Sequence, residues 1–278
     1  MMRFNLSCEL GYDLAGDADF LLNVAVVKNA YQRVSEEEFD VEPKVPTQEY
    51  VDPQSRSRYL RLHARAGKLN LRYQATVELE HFIADPAAIA EVPVADLPAE
   101  TFQFLFPSRY CESDLLARMA LREFGALPPG HSRVAAICDW VKGHVEYVGG
   151  TTTSQTSAYG TATQQVGVCR DFAHLTIAFC RALNIPARYA TGYAYGLDPP
   201  SDFHAYVEAY LGNRWFTFDP NQMAPRTGVV RVGTGRDAAD VSFATIFGPA
   251  TMSEMKIAVD LAPASDIPRH GAEALANC

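Results

Sequence analysis

The stretch from Cys169 to Leu183 constrains this chain more tightly than any other. Phe172, Leu175, Phe179 and Leu183 recur at helical spacing, and Ala173, Ile177 and Ala182 fill the gaps between them. Asn184 and Pro186 then stop the run. A helix that is apolar over so much of its surface must be buried, so the rest of the fold has to be built around it. Gly167-Val168 delivers Cys169 to its first turn. Unpaired N–H groups and the positive end of the helix dipole favour a thiolate there, and the same N–H groups suit an oxyanion forming on a carbonyl that the sulfur attacks. The competing reading is a small core thiol, because free cysteine is among the most buried residue types.

With 48% hydrophobic and 21% charged residues, the 278-residue chain has the make-up of a globular protein with one large or two modest domains. A formal net charge of −9 speaks against a nucleic-acid footprint or an anionic-membrane anchor. The six cysteines are scattered, without a CxxC pair or zinc-ligand spacing, and no cofactor motif is present. The N-terminus lacks the pattern of a signal peptide, and no apolar run approaches the roughly 20 residues of a membrane helix. A cytoplasmic protein with free thiols is the expectation.

Residues 1–85 read as β-structure. Phe4, Leu6, Cys8 and Leu10 alternate, residues 20–27 form a buried-strand run, and residues 69–79 alternate over a long strand. Ala66-Gly67-Lys68 suggests a hairpin turn between Leu62 and Leu69. Together these suggest a small β-sandwich. Residues 86–107 carry Pro86, Pro93, Pro98 and Pro107 and read as a connecting segment that packs through its phenylalanines. A second domain is expected over 108–261. It opens with two helices, capped by Ser113 and Ser132, and a polar loop from Gly149 to Ser157 leads through a short helix to Cys169. Strands follow from Ala187, and the loop from Gly196 to Phe203 contains Pro199-Pro200. Residues 262–278 are expected to be a mobile tail.

Gly212-Asn213 between two alternating runs signals a two-residue hairpin. If Leu211 pairs with Arg214, Asp219 falls opposite Tyr206, and His204 and Asp219 point from one sheet face as diagonal neighbours. Such neighbours lie roughly 7–8 Å apart at the backbone, within reach of an imidazole and a carboxylate. Either residue alone reads as structural. Taken with an activated cysteine upstream, Cys169, His204 and Asp219 suit nucleophilic acyl transfer. His174 is turned away from Cys169 on the helix, and His144 is the one rival base.

These residues resemble the transglutaminase-like superfamily of papain-like thiol enzymes. The likeness rests on Gly167-Val168-Cys169-Arg170-Asp171-Phe172-Ala173-His174, Leu183-Asn184-Ile185-Pro186-Ala187-Arg188, Asp202-Phe203-His204-Ala205-Tyr206-Val207-Glu208 and Trp215-Phe216-Thr217-Phe218-Asp219-Pro220. It covers residues 108–261, and residues up to 85 resemble the β-domain that precedes this module in bacterial members. The resemblance implies an α+β fold, with a helix-borne Cys169 packed on an antiparallel sheet carrying His204 and Asp219. It also implies thioester formation at an amide carbonyl, released by water or by an amine. The calcium sites of animal transglutaminases are not carried over, since no EF-hand loop is present.

The expected activity is that of a cofactor-free cysteine protease or amidase acting on a protein, peptide or small amide. Amine transfer and a non-enzymatic binding module are the alternatives. One oxyanion donor is the Cys169 N–H, and Trp140, Tyr147, Gln155 and Gln164 are unranked candidates for a second. The run from Gly235 to Asp240 either braces the site or is a polar loop.

Overall fold

The computed structural model describes residues 2–197, 202–263, 265 and 273–276. Pro199-Pro200 of the expected loop, and His270 and Cys278 in the tail, lie outside them.

The first third is strand: β1 (Met2–Leu14), β2 (Ala18–Ala25), β3 (Gln32–Glu42), β4 (Thr47–Val51), β5 (Arg58–Ala64), β6 (Gly67–Leu79) and short β7 (Phe82–Ala84). The middle holds α1 (Ser113–Phe124), α2 (His131–His144), β8 (Glu146–Tyr147), α3 (Ala158–Gln164), β9 (Val166–Gly167) and α4 (Cys169–Ala182). Strands then return as β10 (Ala187–Ala194), β11 (His204–Leu211), β12 (Arg214–Phe218), β13 (Val229–Gly235), β14 (Ala244–Phe247), β15 (Ala250–Leu261) and β16 (Ala274–Ala276).

Two four-stranded sheets, in the orders β15-β1-β6-β3 and β14-β2-β5-β4, form the N-terminal sandwich. Phe4, Leu6 and Leu10 of β1 share one core with Phe20, Leu22, Leu60 and Leu62 of the facing sheet, as strict alternation along each strand requires. Three sequence expectations need correction here. Ala66-Gly67 does not close a hairpin: β5 pairs with β2 and β4, and β6 pairs with β1 and β3, so the turn carries the chain from one sheet to the other. Gly67, at φ +134°, supplies the backbone conformation this crossing uses. The border at 261 does not follow the sheets either, because β14 pairs with β2 and β15 with β1 over almost its whole length. β1 is apolar on one face but has two hydrogen-bonding edges, and its second partner comes from the far end of the chain. Finally, Ala274–Ala276 of the expected tail pairs with Phe82–Ala84.

The second module is a four-stranded antiparallel sheet, β12-β11-β10-β13, with α4 packed on it. Every residue of α4 from Asp171 to Arg181 is buried. Phe172, Leu175 and Phe179 share a core with α1, α2 and Ala187, Ala205, Val207 and Ala209 of the sheet. Neither Ser113 nor Ser132 caps its helix through a side-chain hydrogen bond; Glu112 and Gly130 occupy the cap positions. The segment 86–107 forms three 3₁₀ turns, and Phe104 packs edge-on to Trp215 at 5.2 Å.

The two modules are bonded as well as packed. The buried amide of Gln32 donates to the carbonyls of Val27 and Arg231 at 2.6 and 2.8 Å and accepts the Arg231 N–H at 2.8 Å. The Tyr193 hydroxyl, on β10, donates to the Val24 carbonyl at 2.7 Å. The sandwich thereby braces the sheet that carries the candidate site.

Candidate active site

Gly212 and Asn213 both adopt positive φ, +52° and +63°, as a type I′ turn demands. Leu211 pairs with Arg214, and the register runs without a slip to Val207 and Phe218. His204 at the start of β11 and Asp219 just past β12 are thus brought together, and Nε2 of His204 lies 2.9 Å from Oδ2 of Asp219. Both residues are buried. The other carboxylate oxygen accepts the Asn221 N–H at 3.3 Å, which holds Asp219 in place.

Cys169 opens α4, half-buried, with Val168 at the cap position. Asp171, three residues into the helix, turns back so that its carboxylate accepts the Val168 N–H at 2.9 Å and a hydrogen bond from the Thr152 hydroxyl. A Cβ on Gly167 would stand 2.6 Å from that of Asp171, so only glycine allows this close approach. The Cys169 side chain interacts with the imidazole of His204. Nε2 is taken by Asp219, which leaves Nδ1, buried and, among the described residues, without a hydrogen-bond partner, available to the sulfur. Burial opposes charge on this imidazole, but the Asp219 carboxylate, helped by Cys169, outweighs it and pushes the His204 pKa up to about 10.

Of the four side chains weighed as a second oxyanion donor, Tyr147 meets the backbone of Cys169. The parallel pairing of β8 with β9 sets Tyr147 beside Gly167, and burial pushes its hydroxyl's pKa up while the nearby Cys169 N–H partly opposes that rise. Trp140 is turned into the helical core against Phe124 and Phe179 and stacks on His144. Gln155 and Gln164 are exposed.

The remaining histidines have other work. His144 donates through Nδ1 to the Trp140 carbonyl, 2.8 Å away. His174 is fully buried between Tyr110 and Tyr189 and accepts the Ala238 N–H at Nε2, 3.1 Å. Burial, with Arg170 and Arg181 nearby, holds its pKa well below the ordinary range, so it is a neutral strut. That strut anchors the 235–240 run. Asp237, itself buried, accepts the N–H groups of Tyr110 and Ala239, both at 2.9 Å, while Arg236 and Asp240 pair with each other. The run is a fastened wall of the site, which the sequence left undecided.

A cleft of about 390 Å³ opens over Cys169, walled by Tyr189 and Thr191 of β10, by Asp202 and Phe203, and by residues 241–244. Asp171, Asp202 and Tyr110 were not singled out from sequence. Asp171 carried a usable signal, an acidic residue at the third helical position. Asp202 stood in the motif that carries His204, but its place in the cleft, like that of Tyr110, depends on long-range packing.

Comparison with known proteins agrees with this fold. Residues 118–220 match the model of the transglutaminase-like superfamily, and residues 2–100 match that of the bacterial transglutaminase N-terminal domain. A solved structure from Cytophaga hutchinsonii, a proposed cysteine protease, is 41% identical over 99% of this chain and 96% of its own, with a TM-score of 0.94. The chain belongs to the transglutaminase-like superfamily. Among curated relatives, an uncharacterized protein of Mycobacterium leprae is 35% identical over 117 residues, 39% of this chain. One of Mycobacterium tuberculosis is 32% identical over 135 residues, 42% of this chain. The match spans 42% of the length of each of these mycobacterial relatives. In transglutaminase-like terms, the sandwich is the bacterial N-terminal domain with two strands, short β14 and long β15, supplied from beyond the core module.

Among the described residues, no helix is long and apolar enough to cross a membrane.

Proposed function

We propose that this protein is a thiol-dependent amide hydrolase, a cysteine protease or amidase that works through a covalent acyl-enzyme. One observation carries the reading: the His204 imidazole holds Asp219 on Nε2 and interacts with the Cys169 side chain, with Nδ1 buried and not hydrogen-bonded among the described residues. In this reading the Cys169 sulfur attacks an amide carbonyl, and its proton resides on His204. The carbonyl oxygen becomes an oxyanion at the Cys169 N–H. As the C–N bond breaks, His204 returns the proton to the leaving amine and a thioester remains. Water, deprotonated by His204, then attacks the thioester; the acid leaves and the thiol is restored. Asp219 orients the ring and stabilises the imidazolium.

The test needs no substrate. With His204 kept protonated well above neutrality, the sulfur is paired with an imidazolium across the physiological range. Iodoacetamide should therefore alkylate Cys169 fast below about pH 7, where an ordinary thiol with a pKa near 8.5 is slow. His204→Ala should remove the acidic-side labelling. Slow labelling with the same pH profile in both proteins would return Cys169 to a structural role and leave a binding module as the surviving reading.

Tyr147 is the second oxyanion donor in this scheme. Its hydroxyl lies near the Cys169 backbone, so in this scheme a carbonyl oxygen entering there meets both groups, with the hydroxyl turned to donate. Tyr147→Phe should lower kcat by about 10- to 100-fold with little change in KM, within the usual range for one lost donor. An unchanged kcat would sink this role.

Membership in the transglutaminase-like superfamily favours a second reading, in which an amine rather than water takes the acyl group. Mass-spectrometric detection of a labelled primary amine on an acyl acceptor separates the two, and hydrolysis alone would exclude transfer. The substrate class is a protein, a peptide or a small amide. The cytoplasmic setting belongs to the same proposal and rests on the scattered thiols, of which the five described are free.

A further inference from the structure

The cleft over Cys169 is not electrically even. Phe203 and Phe243 stack at 5.2 Å with their planes 18° apart, giving it an apolar wall. Asp202 lies beside that wall and lines the cleft with Cys169. Among the described residues, its one hydrogen bond comes from the adjacent Phe203 N–H at 2.6 Å. The cation that shares the cleft, Arg170, is committed elsewhere. Its guanidinium donates to the carbonyls of Thr153 and Thr156, at 3.0 and 3.5 Å, and lies 4.3 Å over the ring of Tyr110.

Asp202 is exposed, yet enough protein surrounds its carboxylate for burial to push its pKa up, against the opposing pull of the Phe203 N–H and His204. Its charge acts on both His204 and Tyr147, the two groups that flank the nucleophile. A carboxylate in this position is not required for the triad, whose imidazole already has Asp219. It costs desolvation that, among the described residues, the Phe203 N–H and His204 offset only in part. A cationic group arriving with the substrate would offset it, and beside an apolar wall the attraction is stronger than in open water.

We infer that Asp202 is a specificity-determining residue, which selects substrates carrying an alkylammonium group next to the reacting amide. The inference rests on acyl transfer at Cys169. It deepens that reading by naming the charge of the group the cleft accepts.

Charge-selective modification of Cys169 tests it without a known substrate. Three methanethiosulfonates are compared at low ionic strength: the neutral methyl, the cationic 2-(trimethylammonio)ethyl and the anionic 2-sulfonatoethyl reagents. Rates are read by mass spectrometry on the peptide bearing Cys169. Dividing by the neutral reagent's rate cancels any change in the reactivity of the sulfur itself. The wild type should favour the cation, and Asp202→Asn should lower the cation-to-anion ratio by about five-fold or more, the scale of local electrostatic steering. Asp202→Glu should restore the preference. The same ratio in Asp202→Asn as in the wild type overturns the inference while leaving the acyl-transfer reading intact. Slow modification by the neutral reagent in every variant overturns that reading, and the inference falls with it.

Discussion

Replacing Cys169 by alanine is expected to abolish turnover, a loss on the order of 10⁴-fold or more if removal of a nucleophile acts here as in other triads. The substitution removes one sulfur atom and little else. Cys169 is half-buried at the first position of α4, where alanine is a good helix former. The apolar residues that seat the helix, Phe172, Leu175 and Phe179, begin a turn later and are untouched. The Asp171 carboxylate continues to hold the Val168 N–H, and Asp219 continues to hold His204. The circular dichroism spectrum should be that of the wild type and the melting temperature within about 5 °C, equivalent to no more than 1–2 kcal/mol. Activity retained by the folded alanine variant, on any amide the wild type cleaves, would remove Cys169 from the mechanism. Loss of activity together with loss of structure would show instead that the thiol holds the fold, contrary to its half-exposed position.

Gly192→Ala is expected to give the largest loss of stability of any single methyl added to this chain's central sheet. Gly192 lies in the middle of β10, opposite His204 on β11 and Arg231 on β13, where the β10–β13 pairing slips by a residue. A Cβ there would lie 2.2 Å from the Val230 carbonyl oxygen and 2.9 Å from its carbon. Both obstacles are backbone, so no rotamer change relieves them. Either β13 withdraws, which strains the Gln32 bonds that tie it to the sandwich, or β10 shifts and carries His204 with it. Ordinary overpacking costs about 1–3 kcal/mol, and a backbone collision belongs at or above the top of that range. A fall in melting temperature on the order of 5–10 °C follows, with slower iodoacetamide labelling in whatever remains folded. A melting temperature within about 2 °C of the wild type would show that the bulge has slack to absorb a methyl.

Much of the candidate site was legible before any coordinates because its parts are local. The helical spacing of Phe172, Leu175 and Phe179 defines α4 and puts Cys169 in its first turn. The Gly212-Asn213 turn, through positive φ at both positions, sets a register in which His204 and Asp219 share a face. Each of these follows from fewer than twenty consecutive residues. Gly192 was legible only as one residue of an alternating strand, since the carbonyl that forbids its substitution is 38 residues further along the chain. Tyr147 stood unranked among four candidates, because its meeting with the Cys169 N–H depends on β8 pairing with β9 across an intervening helix. The run from Gly235 to Asp240 could be read as a surface loop until His174 and Tyr110 were seen to fasten it.

The division follows a single physical line. Periodicity, turn chemistry and helix stops are properties of neighbouring residues, and they determined the elements of this protein, the order of its modules and the His204–Asp219 pairing. Alternation also tells which face of a strand is apolar, but it does not say which strand will lie along each edge. Only the tertiary structure decided that β14 and β15 complete the N-terminal sandwich, that the Gly67 turn crosses between its sheets, and that Asp202, Phe203 and residues 241–244 wall the cleft over Cys169. Those outcomes depend on partners brought together from opposite ends of the chain by burial of a shared core, which no short stretch of sequence records.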